Sequence, residues 1–193
     1  MRYDLFKSKK LLIVAGPTGC GKSTFLRSAL GSNHSPLTKK ILEEAFKNSN
    51  VKIEQLYLRR LRKRHERQSG FEKFINEHDN FILDVDTTGP GFKRNAKIFP
   101  NFLMQFNHVI SIQIYTPYEV WLNRILKRKI NSSLKGSKTI RQILYKSFSL
   151  KARERNQAKK IYCEHYNRWE LYLEKYNLKS QYRISTIQDS ILE

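Results

Sequence analysis

Acid, cysteine and long apolar runs are what this chain has little of, and each shortage narrows its identity. Asp and Glu together number 17 of 193 residues against 37 Lys and Arg, a formal charge of +20. That balance suits anionic partners such as nucleotides, nucleic acid or an acidic membrane surface. The basic residues run from Lys7 to Arg183 instead of forming one tail, so a composition biased toward Lys, Asn and Ile is a second source of the charge. Weak, strongly salt-sensitive nucleic-acid binding is therefore expected alongside any other activity. Two cysteines, Cys20 and Cys163, make a poor disulfide framework, and a reducing compartment, the cytoplasm, is expected. No stretch approaches the roughly 20 apolar residues of a membrane span. The apolar residues 11–15, behind Lys9 and Lys10, fall short of a secretory leader and lack a small-residue cleavage site. No repeat and no second domain is evident, so one domain over residues 1–193 is expected. Its hydrophobic content of 39% and aromatic content of 12% are enough for a real core. Oligomeric state leaves no trace in the sequence.

What is present is concentrated in residues 9–30, KKLLIVAGPTGCGKSTFLRSAL. Residues 11–15 read as a short buried strand, and residues 22–30, free of breakers, run on as a helix. Between them lies Gly16-Pro17-Thr18-Gly19-Cys20-Gly21-Lys22-Ser23, followed by Thr24. Glycines let backbone N–H groups close round phosphate oxygens, a lysine reaches the β/γ-phosphates, and a hydroxyl addresses Mg²⁺. Lys22 and Ser23 fill the last two roles, with Thr24 at the nucleotide edge. Cys20 stands near a helix N-terminus, an environment that lowers a thiol pKa, although a small neutral filler between glycines describes it as well.

This loop resembles the Walker A loop of P-loop nucleotide-binding proteins. An Asn-Lys-x-Asp guanine motif is absent, which sets the chain apart from switch-type GTPases. Downstream, FILDVDTTG at residues 81–89 ends an apolar strand in acid and resembles a Walker B strand. Period-two alternation puts Asp84 and Asp86 on one side of the sheet. Ligands lie at the carboxyl ends of parallel strands, so Asp86 is placed toward an acceptor and Asp84 nearer the metal, with the division of roles between them open. Capping of the loop backbone by one of these carboxylates is the plain structural alternative.

The rest of the chain supplies a frame. Residues 31–36 read as a loop in which His34 is solvated. Residues 37–79 read as mostly helical, with a brief strand near Val51 as the alternative, and form the expected acceptor-binding segment, rich in arginine from Arg59 to Arg67. Ser69-x-x-Glu72 is a capping-box pattern and Asn80 a break. The spacing of Ile98, Phe102 and Phe106 predicts a helix kinked or broken at Pro100. HVISIQIY at residues 108–115 is a strand, and Thr116-Pro117-Tyr118-Glu119 starts a helix, with Thr116 as N-cap. Arg124 and Arg128 share a face of that helix, which leads into a basic lid at residues 127–140. Helical spacing of Tyr162, Tyr166, Trp169 and Leu173 marks a core-facing helix. Residues 182–185 read as the last strand, followed by a terminal turn opened by Thr186-x-x-Asp189.

Strands at 11–15, 81–86, 108–115 and 182–185, with a fifth near Val51, predict an α/β doubly wound parallel sheet of four to five strands. The arginine-bearing helix and lid resemble those of nucleoside monophosphate kinases and small-metabolite kinases within the P-loop kinase superfamily. The resemblance implies ATP and Mg²⁺ as cofactors and a small anionic acceptor. Catalysis would fall to Lys22, Asp84, Asp86, Arg124 and Arg128, and the metal to Ser23 and Asp84. A polynucleotide end-processing protein, with residues 59–67 tracking a phosphate backbone, and a nonenzymatic nucleotide-binding module are the alternatives.

Overall fold

A computed structural model describes residues 9–48, 50–57, 75–88, 92, 96–132, 152–176, 182–185 and 190–192; residues 101, 126–132, 152–155 and 190–192 are described by their backbone alone. The central strand β1 (Lys10–Gly16) is buried along nearly its whole length. It pairs in parallel with β3 (Asn80–Asp86) on one side and β4 (His108–Tyr115) on the other. Beyond them lie β2 (Glu54–Tyr57), parallel to β3, and β5 (Tyr182–Ser185), parallel to β4. A sixth strand, β6 (Ser190–Leu192), runs antiparallel to β5 and completes the order β2-β3-β1-β4-β5-β6. The chain leaves β1, builds the sheet out to β2 and back to β3, then crosses β1 to β4. The strand order therefore reverses at β1, and its carboxyl end is the switch point at which open α/β sheets bind ligands.

Continuous apolar runs are what a strand buried on both faces requires. Leu12, Val14, Ile82, Ile110, Ile112 and Ile114 meet helices α1 (Lys22–Leu30), α2 (Pro36–Phe46) and α4 (Tyr118–Ser132) on one face. Leu11, Ile13, Ala15, Phe81, Leu83 and Val85 meet α3 (Phe99–Leu103) on the other. The long helix α5 (Ala152–Lys175) serves both layers, giving Tyr162 and Tyr166 to the first and Trp169 and Leu173 to the second. Lys9 fixes the entry to β1: its buried ammonium donates to the carbonyls of Ile75 and His78 at 2.6 Å each.

Two expectations from the sequence change, and two others gain detail. Residues 54–57, read as one face of a helix, form the fifth strand; four residues, Glu-Gln-Leu-Tyr, are too few to fix a period, and the open edge of β3 supplies backbone partners that a helix there would forgo. Asn80 opens β3 instead of breaking the chain. Residues 186–189, read as opening a terminal turn, lie outside the described residues, and after them β6 covers the outer edge of β5. The hydroxyl of Thr116, expected as the N-cap of α4, donates to the Cys20 carbonyl and so links the start of that helix to the glycine loop. At Pro100 the break is real: a 3-10 turn at Ala96–Ile98 precedes α3, and the proline sits in the first helical turn, where a missing N–H costs nothing. α4 runs to Ser132, so the segment read as a lid from residue 127 begins as helix; residues 133–140, the arginine cluster at 59–67 and Ser69-x-x-Glu72 lie outside the described residues.

Trp169 is fully buried, stacked on Tyr172 and edge-on to Phe92 and Phe99. Trp169→Ala is expected to cost about 3–5 kcal/mol of unfolding free energy, measured by urea denaturation followed through circular dichroism.

Candidate functional site

β1 delivers the chain into the loop through Gly16, whose φ of 153° is positive and whose missing side chain leaves room for two neighbours. A Cβ there would lie 2.7 Å from Cys20 Sγ and 2.9 Å from the Ile114 carbonyl oxygen. Gly19 and Gly21 have φ of 91° and 107°, and a Cβ on Gly19 would meet Ile125 Cδ1 at 2.9 Å. Three glycines in left-handed conformations coil the loop tightly enough to start α1 directly after Gly21, so that its free N–H groups face the loop's mouth.

Lys22 is largely buried at the start of α1 and donates to the Gly16 carbonyl at 2.7 Å and the Pro17 carbonyl at 3.2 Å. Its ammonium thus bridges the loop from inside. Ser23 and Thr24 are exposed in the first turn of α1. From outside, α4 holds two further carbonyls: Trp121 Nε1 donates to Thr18 O at 2.8 Å and Arg124 Nη1 to Gly19 O at 3.4 Å. Arg124 also reaches the Thr116 hydroxyl. Carbonyls engaged from the rear leave the amide side of the loop toward a ligand.

In the ladder with β1, Val14 is paired with Asp84 and Gly16 with Asp86, so both carboxylates stand beside the loop on the same side of β3. Their environments differ. Asp86 is exposed and braced: Oδ2 accepts from the Thr18 hydroxyl at 2.8 Å and Oδ1 from the Thr88 amide at 3.0 Å. The Thr18 amide in turn donates to the Thr88 hydroxyl at 2.7 Å. The loop-capping role considered for one carboxylate thus falls to Asp86. Asp84 is mostly buried, and its Oδ1 has no hydrogen-bond partner among the described residues. Burial pushes its pKa up, offset in part by the Lys22 charge and reinforced by Asp86.

Cys20 lies fully buried beneath Gly16, and burial raises its thiol pKa more than the Lys22 charge and the backbone lower it. The helix N-terminus was expected to lower that pKa; the protein interior outweighs it, and the filler role stands. His34 is half-buried, with Nδ1 against the Ser28 carbonyl at 2.8 Å, instead of fully solvated. Arg128 belongs to α4 by its backbone, and its side chain lies outside the described residues.

Sequence reading missed one feature, the polar side of α5. His165 is buried, Asp86, Glu164 and Arg168 all act on it electrostatically, and its Nδ1 has no partner among the described residues. Burial, and next the Arg168 charge, push its pKa down to about 4. Embedded among Tyr162, Tyr166 and Trp169, the position reads as one more core residue, and only the unmatched polarity of His165 and Arg168 on a core-facing helix could have marked it.

Strand, glycine loop, buried lysine and flanking acidic strand assemble a phosphate-loop geometry at the head of an α/β sheet. Over 86 residues, 40% of its length, the chain is 35% identical to the phosphate import ATP-binding protein PstB 2 of Enterococcus faecalis, and it spans 31% of that relative's length. It is also similar to shikimate kinase from Acinetobacter baumannii, solved in complex with shikimate. That likeness has a TM-score of 0.38 and 17% identity, over 95% of this chain and 87% of that one, too loose to bear on chemistry. No family model matches the chain. Among the described residues no helix is long and apolar enough to cross a membrane, and no group of three or more His, Cys, Asp or Glu side chains is gathered for a metal ion.

Two outcomes follow. Iodoacetamide should modify exposed Cys163 rapidly and buried Cys20 only on unfolding, as read by peptide mass spectrometry; equal rates in the folded protein would contradict the packing. Asp84 carries a raised folded pKa, so it binds protons more tightly folded than unfolded, and its contribution to stability falls as pH rises above the ordinary carboxylate range. Asp84→Asn is therefore expected to be more stable than the parent at pH 7 without divalent metal, with the advantage vanishing below that range, as measured by thermal unfolding across pH.

Proposed function

We propose that this chain is an ATP-dependent phosphotransferase that moves the γ-phosphoryl group of Mg-ATP to a small anionic acceptor, a nucleotide or a phosphorylated or sugar-linked metabolite. The carrying observation is the juxtaposition of a glycine-coiled loop around buried Lys22 with one braced carboxylate and one that has an unpartnered buried oxygen, at the switch point of the sheet. A nonenzymatic nucleotide-binding module would have no use for an unpartnered, partly desolvated carboxylate beside its phosphate loop.

In this reading the loop amides and Lys22 hold the donor's β- and γ-phosphates, Lys22 exchanging the carbonyls of Gly16 and Pro17 for phosphate oxygens. The residues present fit Mg²⁺: the orphaned oxygen of Asp84 and the exposed hydroxyl of Ser23 are oxygen donors of the kind the ion takes. When bound, the ion supplies charge neutralisation on the donor phosphates. Asp86, exposed and fixed by Thr18 and Thr88, orients the acceptor hydroxyl and takes its proton as the oxygen bonds to γ-phosphorus. The bond from γ-phosphorus to the bridging oxygen breaks, and ADP leaves. Arg124, already seated on the loop, and Arg128, one turn further along α4, balance the charge of the transferring group.

The test uses purified protein and γ-labelled ATP offered with pooled nucleoside monophosphates, sugars and sugar phosphates. Lys22→Ala and Ser23→Ala are expected to lose Mg²⁺-dependent ATP binding while remaining folded. Asp86→Asn should lower turnover by roughly 10²–10⁴ with ATP affinity within a few-fold of the parent. Undiminished ATP binding in folded Lys22→Ala would remove the central claim, and full turnover in Asp86→Asn would reduce that carboxylate to a structural brace.

A further inference from the structure

Three polar atoms on the inner side of α5, His165 Nδ1, Arg168 Nη1 and Trp169 Nε1, are buried without a hydrogen-bond partner among the described residues. Their positions, at i, i+3 and i+4, put them on one side of the helix. The fully buried Thr87, next after Asp86, has an equally unmatched hydroxyl. A buried donor without an acceptor costs on the order of 1–3 kcal/mol, more for a charged group, so several together on one helix are not an idle feature of a core. The two arms of Arg168 are divided. Nη2 faces Glu164 at 3.8 Å along the helix surface, whereas Nη1 turns inward.

We propose that Arg168 and His165 form an anion-binding subsite for the acceptor, which is therefore an alcohol carrying a carboxylate or phosphate group. The inference rests on the phosphotransferase reading and deepens it: Asp86 takes the hydroxyl, and the acceptor's anionic group docks on α5. An anion supplies acceptors alone, which is what the inward Nη1 of Arg168 and a ring N–H of His165 lack. The Arg168 and Asp86 charges both act on the His165 imidazole, and Asp86 is the last residue of β3. Arg168 keeps about a third of its side chain exposed, which leaves the anion an approach from solvent. The Arg168 guanidinium supplies the positive charge for the acceptor's anion and offsets the repulsion of the Asp86 carboxylate. Burial leaves the free imidazole neutral near pH 7, so an anion beside it would draw its pKa up.

Sulfate is the probe, because it stays a dianion throughout the working range. Titrated calorimetrically into parent protein saturated with Mg²⁺ and the non-hydrolysable analogue AMP-PNP, sulfate is expected to bind one further site. Arg168→Gln and His165→Gln should each weaken that site about tenfold or more, and Arg168→Lys should restore part of the loss. The imidazole proton signals of His165 in the parent should move on sulfate addition, a response that a purely structural histidine would not give and that needs no variant to fold. Sulfate binding unaffected by either glutamine variant, or an unmoved His165 signal at saturating sulfate, would overturn the subsite. Lys22→Ala separates the two claims: sulfate binding retained there supports the subsite whether or not nucleotide binds. Failure of AMP-PNP to bind the parent would instead overturn the phosphotransferase reading.

Discussion

The space above Cys20 is too small for a side chain on Gly16, and most of the site depends on that limit. With no Cβ, Gly16 settles against the Cys20 thiol and the Ile114 carbonyl and turns its own carbonyl to Lys22. The turn lets α1 begin directly after Gly21, which buries Lys22 and places Ser23 at the mouth. Its carbonyl also accepts the Thr87 amide at 3.2 Å, which ties the end of β3 to the end of β1 and sets Asp84 and Asp86 beside the loop. A methyl group at this position would push apart three elements at once.

A second layer of order comes from carbonyl oxygens held from behind. Tight loops expose carbonyls as well as amides, and unsatisfied carbonyls at a buried turn are costly. Lys22 takes those of Gly16 and Pro17, Trp121 that of Thr18, Arg124 that of Gly19 and Thr116 that of Cys20. The loop is consequently held in one conformation, which lowers the entropy it would lose on binding an anion. α4 shapes the glycine loop as much as α1 does, through Trp121 and Arg124.

How much of this was legible follows from the range over which each residue acts. Residues 10–30 declared themselves because strand, glycines, lysine and helix are contiguous and each obeys a local rule. The acidic pair was legible through period-two alternation, but the distinction between braced Asp86 and orphaned Asp84 depends on Thr18 and Thr88, brought in by β1–β3 pairing. β2 and β6 are too short for their period to speak, and their state is decided by the sheet edges they cover. Cys20 was half-legible, because a helix N-terminus is local and complete burial is not. His165 and Arg168 were hidden among aromatic residues whose helical spacing spoke only for the core.

The chain carries two tryptophans, and the fold gives them separate views. Trp121 donates its indole N–H to the backbone of the phosphate loop, while Trp169 lies in the opposite layer with its N–H unmatched beside the α5 polar side. Indole emission depends on hydrogen bonding and local field, so the protein contains two native optical reporters, one at the glycine loop and one beside the polar side of α5. Replacing either with phenylalanine isolates the other. Occupancy of the two halves of the site then becomes readable by intrinsic fluorescence alone, without a label and without turnover.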